Sequence, residues 1–274
     1  MPLVPTLTQA RVPLTRSTVV LDGEGRRREI ELPDERALTL FVDRQELVTL
    51  MTLGQEPELL ALGYLLNQGL VASAAEIESV TVDWSVNAAA VRTRGGIAGW
   101  AERTARRTVT SGCGQGTAFG QLWDGLEPLP AGGSVSSQRL GELSAHMREL
   151  PSVYARAGSV HGSALWQGER MLVHVEDVGR HNAIDTLAGW MAMQGFTGTG
   201  LLLYTTGRLT SEMVLKAARL RIPVLVSRNG SSASGQALAE RLQLTLIGRA
   251  SGRRFLCYSG AERIRFDSPV LPSA

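Results

Sequence analysis

The chain has 274 residues, 43% of them hydrophobic and 20% charged, with a formal net charge of +2, the proportions of a soluble globular protein with a buried core rather than a disordered one. No apolar run approaches the ~20 residues that a membrane span requires, and the N-terminus lacks the apolar centre of a signal peptide, so a cytoplasmic protein with no membrane partner is expected. The two cysteines, Cys113 and Cys257, exclude a disulfide framework and a four-cysteine zinc site.

In chain order, ALTLFVD and ELVTLMT read as two strands of a hairpin turning at Arg44 and Gln45. A helix is expected from Glu56 to Gln68, because Leu59, Leu60, Leu62, Leu65 and Leu66 recur at helical spacing, Pro57 suits the first turn and Gly69 the stop. Weaker strands near Val80–Val82 and Ala89–Val91 lead to the segment around Cys113. The Pro, Gly and Ser residues of Asp124–Gln138 mark a boundary between a smaller α+β lobe, residues 1–125, and a second lobe, residues 126–274.

A helix over Gln138–Glu149 carries Leu140, Leu143 and Met147 on one face. SVHGSALW and ERMLVHVE form a hairpin around Gln167 and Gly168. Beyond it helices and buried strands alternate: HNAIDTLAGWMAMQ ended by Gly195, GLLLYTT, TSEMVLKAARLR capped by Thr210 or Ser211, IPVLVS, GQALAERL and LTLIG. That alternation predicts an α/β lobe whose sheet is mixed, largely parallel and covered by helices.

Four stretches carry candidate chemistry. In the first, Cys113 stands between Gly112 and Gly114 with Arg106 and Arg107 upstream. Glycine neighbours leave its sulfur uncovered, and a helix beginning near Thr117 would favour the thiolate through its N-terminal amides. The alternative is a tight loop with cysteine as a small filler. In the second, Glu176, Asp177, Arg180, His181 and Asn182 run from a strand end into a helix start, where ligands bind in α/β sheets; the alternative is a strand-to-helix turn with Asp177 or Asn182 as cap and an Arg–carboxylate pair.

The third, Gly207 and Arg208 before a helix, suits a phosphate. The fourth, Gly248, Arg249, Ala250, Ser251, Gly252 and Arg253, is a basic turn fit for a diphosphate or simply a solvated hairpin. Cys257, in an alternating late strand, is read as structural, and His161 and His174 as interior histidines. The basic side chains are all arginine except Lys216, a skew equally consistent with genome composition and with forked recognition of phosphate.

At these residues the chain resembles the FdhD family of formate dehydrogenase accessory sulfurtransferases. ELVTLMTLGQEPELLALGYLLNQGLV, TSGCGQG, VEDVGRHNAIDTLAG, TTGRLTSEMVLKAARLRIPVLVSRNG and LIGRASGRRFLCYSGAERI carry the likeness, from about Glu35 to Ile264. The resemblance implies a cytidine deaminase-like second lobe, and a protein that takes sulfane sulfur from a cysteine desulfurase as a persulfide on Cys113. It further implies transfer of that sulfur to the bis-molybdopterin guanine dinucleotide form of the molybdenum cofactor, bound as substrate with no permanent metal, before insertion into formate dehydrogenase. A homodimer without a nucleic-acid partner is implied as well. The late nucleotide-contacting turn falls on Gly248 to Arg253. Many members carry Cys-x-x-Cys where this chain has Cys113-Gly114-Gln115-Gly116, so a local disulfide step is not open to it.

Two other functions compete. A zinc nucleobase deaminase has superficial support in His174-Val175-Glu176 but requires a Pro-Cys-x-x-Cys ligand pair that the sequence lacks. A non-catalytic chaperone of the molybdenum cofactor would use the same C-terminal loops without moving sulfur, and would tolerate replacement of the Cys113 thiol.

Overall fold

The computed structural model describes residues 3–105, 107–110, 116–119, 126–130 and 132–267. The chain divides into two compact units, one of residues 1–122, 151–163 and 175–196, the other of residues 123–150, 164–174 and 197–274. Residues 151–163 and 175–196, which the sequence places in the second lobe, thus group with the first unit.

The fold is mixed α/β. Its first elements are β1 (Thr6–Leu7), β2 (Thr15–Leu21), β3 (Arg27–Pro33), β4 (Arg36–Val42), β5 (Gln45–Thr52), α1 (Pro57–Asn67), β6 (Ile77–Asp83), β7 (Ala88–Thr93), α2 (Trp100–Ala105), β8 (Arg107–Thr110) and β9 (Gly116–Phe119). There follow β10 (Val135–Ser136), α3 (Ser137–Glu149), α4 (Val153–Ala157), β11 (His161–Gln167), β12 (Arg170–Asp177), α5 (Arg180–Gln194) and β13 (Leu201–Thr205). The last are α6 (Ser211–Arg219), β14 (Val224–Ser227), α7 (Ala233–Arg241), β15 (Thr245–Ser251), β16 (Arg254–Ser259) and β17 (Ile264–Arg265).

In the first unit the strands order β1-β6-β7-β4-β5 in one sheet. The β4–β5 hairpin turns at Asp43 and Arg44, one residue earlier than expected, with φ of 46° and 73°. Two consecutive left-handed residues make the turn whose twist matches that of a hairpin. Leu38, Leu40 and Val42 alternate along β4 toward the core, where they join Ile77 and Val80 and the α1 residues Leu60, Leu62 and Leu65. Helix α1 is buried on most of its circumference because α5 packs along it. The approach is close. A β-carbon on Gly189 would overlap the Leu59 carbonyl oxygen, and Asn67 Nδ2 donates to Asp185 Oδ1 at 2.7 Å between the buried faces. Gly195, at φ 69°, ends α5 as expected.

Two small antiparallel ribbons complete this unit, β2–β3 and β8–β9. The second corrects an expectation. Residues 116–119 form a strand, with Gly116 opposite Thr110, so among the described residues Thr117 lies in a strand and not at a helix start.

The second unit holds a six-stranded sheet in the order β12-β11-β13-β14-β15-β16. Strands β13, β14 and β15 run parallel and β16 is antiparallel to β15. The sheet is therefore mixed, its parallel part joined through α6 and α7. Strands β13 and β14 are buried along their whole length, which is why they read as unbroken apolar runs. Leu202, Tyr204, Val224, Val226 and Ile247 pack with Leu140 and Leu143 of α3. The chain passes from one unit to the other within β11, after Ser163, and returns within β12, after His174. No helix among the described residues is long and apolar enough to cross a membrane.

Candidate functional site

Two clusters of the residues singled out by sequence are formed, one in each unit. In the first unit the end of β12 delivers Glu176 and Asp177 just before α5. Asp177 accepts four hydrogen bonds: from Thr52 Oγ1 at 2.5 Å, Leu53 N at 3.0 Å, Gly179 N at 2.8 Å and Asn182 Nδ2 at 2.8 Å. Burial pushes its carboxyl above the usual range, while the four donors pull it down. Asn182 Nδ2 also reaches the Met51 carbonyl at 2.7 Å, so the end of β5 and the start of α5 are bound into one knot.

Glu176 is turned to a different task. Its carboxylate accepts from the amides of Val153 at 2.6 Å and Tyr154 at 3.0 Å, closing the first turn of α4, and its own amide donates to Gln55 Oε1 at 2.7 Å. Arg180 and His181 lie in the first turn of α5 and are 3% and 6% exposed. Neither Asp177 nor Asn182 caps α5, whose N-cap is Gly179 without a side-chain bond; the side chains of Glu176, Asp177 and Asn182 are spent on backbone groups, on Thr52 and on one another.

In the second unit the C-terminal ends of three parallel strands meet. Thr206, Gly207 and Arg208 follow β13, Arg228, Asn229 and Gly230 follow β14, and Gly248 and Arg249 lie on β15. Ser227 Oγ donates to the Gly207 carbonyl at 2.6 Å and accepts from Asn229 N at 2.9 Å. Asn229 Nδ2 donates to the Thr206 carbonyl at 2.6 Å, and Arg249 N donates to the Asn229 carbonyl at 2.9 Å. One asparagine therefore joins three strand-end loops. A β-carbon at Gly248 would stand 2.6 Å from the Asn229 carbonyl oxygen and 2.7 Å from the Tyr258 ring, so only glycine lets the strands close.

Helix α6 opens beside this cradle with Thr210 as its N-cap. Arg208, Arg228 and Arg249 are exposed around it. Guanidinium groups beside the C-terminal ends of parallel strands and a helix start are suited to a phosphate-bearing ligand. The run from Gly248 to Arg253 is divided. Gly248 and Arg249 join the cradle, Ala250 is a core side chain at 3% exposure, Ser251 ends β15 opposite Arg254, and Gly252 and Arg253 form the turn into β16. The β-carbon of a residue at 141 on α3 would sit 3.2 Å from the Gly252 carbonyl oxygen, so this turn packs on α3. Ser227 and Asn229 were not anticipated from sequence, although the SRNG run directly after a buried strand was the available signal.

Cys113 lies outside the described residues. Cys257 is in β16, half-buried, with its thiol donating to the Ser259 carbonyl at 3.2 Å, and burial pushes its pKa above the ordinary thiol value. Among the described residues no group of three or more His, Cys, Asp or Glu side chains is placed to hold a metal ion.

The FdhD/NarQ family model matches residues 33–265. Similar proteins include the sulfur carrier protein FdhD of Bacillus licheniformis, 29% identical over 247 residues, covering 89% of this chain and 94% of that one. The protein of the same name from Staphylococcus aureus strain MRSA252 is 28% identical over 232 residues, covering 84% and 88%. A solved structure from Desulfotalea psychrophila, described as a formate dehydrogenase accessory protein, aligns with a TM-score of 0.76 at 27% identity, covering 92% of this chain and all of that one.

Proposed function

The chain belongs to the FdhD/NarQ family, and from that premise we propose that it is a cytoplasmic sulfur carrier serving formate dehydrogenase, with Cys113 as the carrying residue. The observation that supports Cys113 is the state of the other cysteine. Cys257 is held within a strand, its thiol hydrogen-bonded and its pKa raised, whereas sulfur transfer uses the thiolate.

In the first step the Cys113 thiolate attacks the outer sulfur of a persulfide presented by a cysteine desulfurase. A new S–S bond forms on Cys113, the donor S–S bond breaks, and the donor cysteine leaves as thiolate with the bonding pair. In the second, the S–S bond on Cys113 breaks with its electron pair kept by the Cys113 thiolate, and the sulfane sulfur passes to the molybdenum cofactor in its bis-molybdopterin guanine dinucleotide form, bound as substrate, before it enters formate dehydrogenase. The strand-end cradle of Gly207, Arg208, Asn229, Gly248 and Arg249 is suited to the phosphates of that substrate. The same reading carries a cytidine deaminase-like arrangement of the second unit and a homodimer.

Intact-mass analysis of the wild type, Cys113→Ser and Cys257→Ser after incubation with a cysteine desulfurase and cysteine tests the first step. A reducible gain of one sulfur that vanishes only in Cys113→Ser is expected. No gain, or a gain indifferent to Cys113→Ser, would leave a cofactor chaperone that moves no sulfur.

A further inference from the structure

The second unit has a cavity away from the strand-end loops. This cavity, of about 410 Å³, opens at the other end of the parallel strands, where Leu201 and Leu202 begin β13 and Pro223 leads into Val224 at the start of β14. Its volume is that of a small-molecule site. Helix α3 contributes Gln138, Arg139, Glu142 and Leu143 to the lining, β11 contributes Trp166, the β11–β12 turn Gly168 and Glu169, and the exposed Arg265 also lines it.

The lining divides into an apolar part and a part rich in donors. Val135, Leu143, Leu202 and Val224 supply the first. In the second, Trp166 is 2% exposed, and its indole N–H is buried with no acceptor among the described residues. The Arg139 guanidinium stacks over the same ring, 5.0 Å from its centroid, and its Nε–H is likewise buried without an acceptor. Buried donors of this kind call for an oxygen that the protein does not provide.

Nearby acidic groups do not provide it. Glu142 Oε2 is engaged by Arg139 Nη1 at 3.3 Å and Oε1 by Gln138 Nε2 at 2.7 Å, while Arg139 Nη2 goes to the Glu169 carbonyl at 2.7 Å. The start of α3 does not supply further donors, since Asp267 already takes Ser137 Oγ at 2.6 Å and Gln138 N at 2.8 Å. What is left over is two buried N–H groups on stacked side chains, an exposed second arginine in the lining, Arg265, and an apolar part.

We propose that this cavity binds a small organic acid, its carboxylate received by Arg139, Trp166 and Arg265 and its apolar body laid over Val135, Leu143, Leu202 and Val224. Both N–H groups are buried, so binding requires the Arg139 guanidinium to move off the indole and release Glu142 and the Glu169 carbonyl. The site is separate from the strand-end cradle and independent of the sulfur-carrier reading.

The test is a titration of the full chain, labelled at the indole nitrogens of its five tryptophans, with 3-phenylpropionate as the probe. The Trp166 N–H resonance is identified by its loss in Trp166→Phe. It is expected to shift saturably with 3-phenylpropionate, to stay in place with inorganic phosphate, and to move much less with the neutral 3-phenylpropan-1-ol. Arg265→Ala, an exposed substitution that leaves the core intact, should weaken binding by roughly fivefold or more. A Trp166 resonance that does not move, an alcohol that acts as well as the acid, or an Arg265→Ala protein that binds like wild type would each overturn the proposal.

Discussion

Gly63 on α1 faces Gly189 on α5 so closely that a β-carbon on Gly63 would stand 2.6 Å from the Gly189 amide nitrogen and overlap the Asp185 carbonyl oxygen. Both obstacles are backbone, which cannot rotate aside as a side chain can. Gly63→Ala should therefore force the helices apart and destabilise the protein by about 1–3 kcal/mol, the usual cost of overpacking. Gly23→Ala, with nothing within 4 Å of its β-carbon, should leave the denaturation midpoint unchanged. Equal midpoints for the two variants would refute the close crossing.

Asp177→Asn should be costly although it conserves shape. Four donors converge on the carboxylate, and an amide nitrogen in place of one oxygen turns a donor against donors. A loss of about 2–4 kcal/mol in chemical denaturation is expected, in the range for a buried polar group left badly paired. Persulfide loading at Cys113, measured under conditions where the variant is folded, should persist, because Asp177 is engaged in tying β5 to α5.

Glu176→Gln distinguishes a cap of α4 from a ligand contact. The carboxylate receives two amides of α4, so its amide analogue should lower stability by about 1 kcal/mol, as loss of a helix cap does. Sulfur loading and the binding of guanosine diphosphate as a nucleotide probe should be unaltered. A fall in either at unchanged stability would return Glu176 to the chemistry.

Cys257 should be a slow thiol at neutral pH. Burial raises its pKa, which means less thiolate at any pH below that value, and each unit of rise lowers the thiolate fraction about tenfold. In Cys113→Ser, iodoacetamide labelling of folded protein should lag that of a cysteine peptide at pH 7.5 and accelerate only as pH climbs beyond the ordinary thiol range. Peptide-like labelling at pH 7.5 would contradict the assignment.

Asn229→Ala removes the amide that reaches the Thr206 carbonyl. The strand-end loops then lose a shared anchor, and affinity for guanosine diphosphate should fall about tenfold, equivalent to roughly 1.4 kcal/mol. Persulfide formation on Cys113 should proceed as in wild type, which separates loading from delivery.

Local pattern carried much of this architecture. Helix α1, the β4–β5 hairpin, the Gly195 stop of α5 and the alternation from β13 to β15 were legible because period, caps and turn residues agree. The β8–β9 pairing was not, since RTVT and GTAF are only four residues each, too short for an alternating period to show. The knot on Asp177 was hidden for another reason. Thr52 lies 125 positions away, and a single sequence holds no signal that joins a threonine at a strand end to an aspartate so distant. Asn229 shows a third limit, for its neighbours on β13 and β15 are set by strand order rather than by spacing.

The pairing of α1 with α5 has a consequence for synthesis. Asn67 and Asp185 are 118 positions apart, so a nascent chain displays the small-residue face of α1 long before the helix that covers it leaves the ribosome. Closing so long a loop is entropically unfavourable and slow. During that interval the exposed stripe around Gly63 is open to wrong partners, and a chain terminated before α5 should emerge as a substrate for chaperones or proteases rather than as an independent first unit.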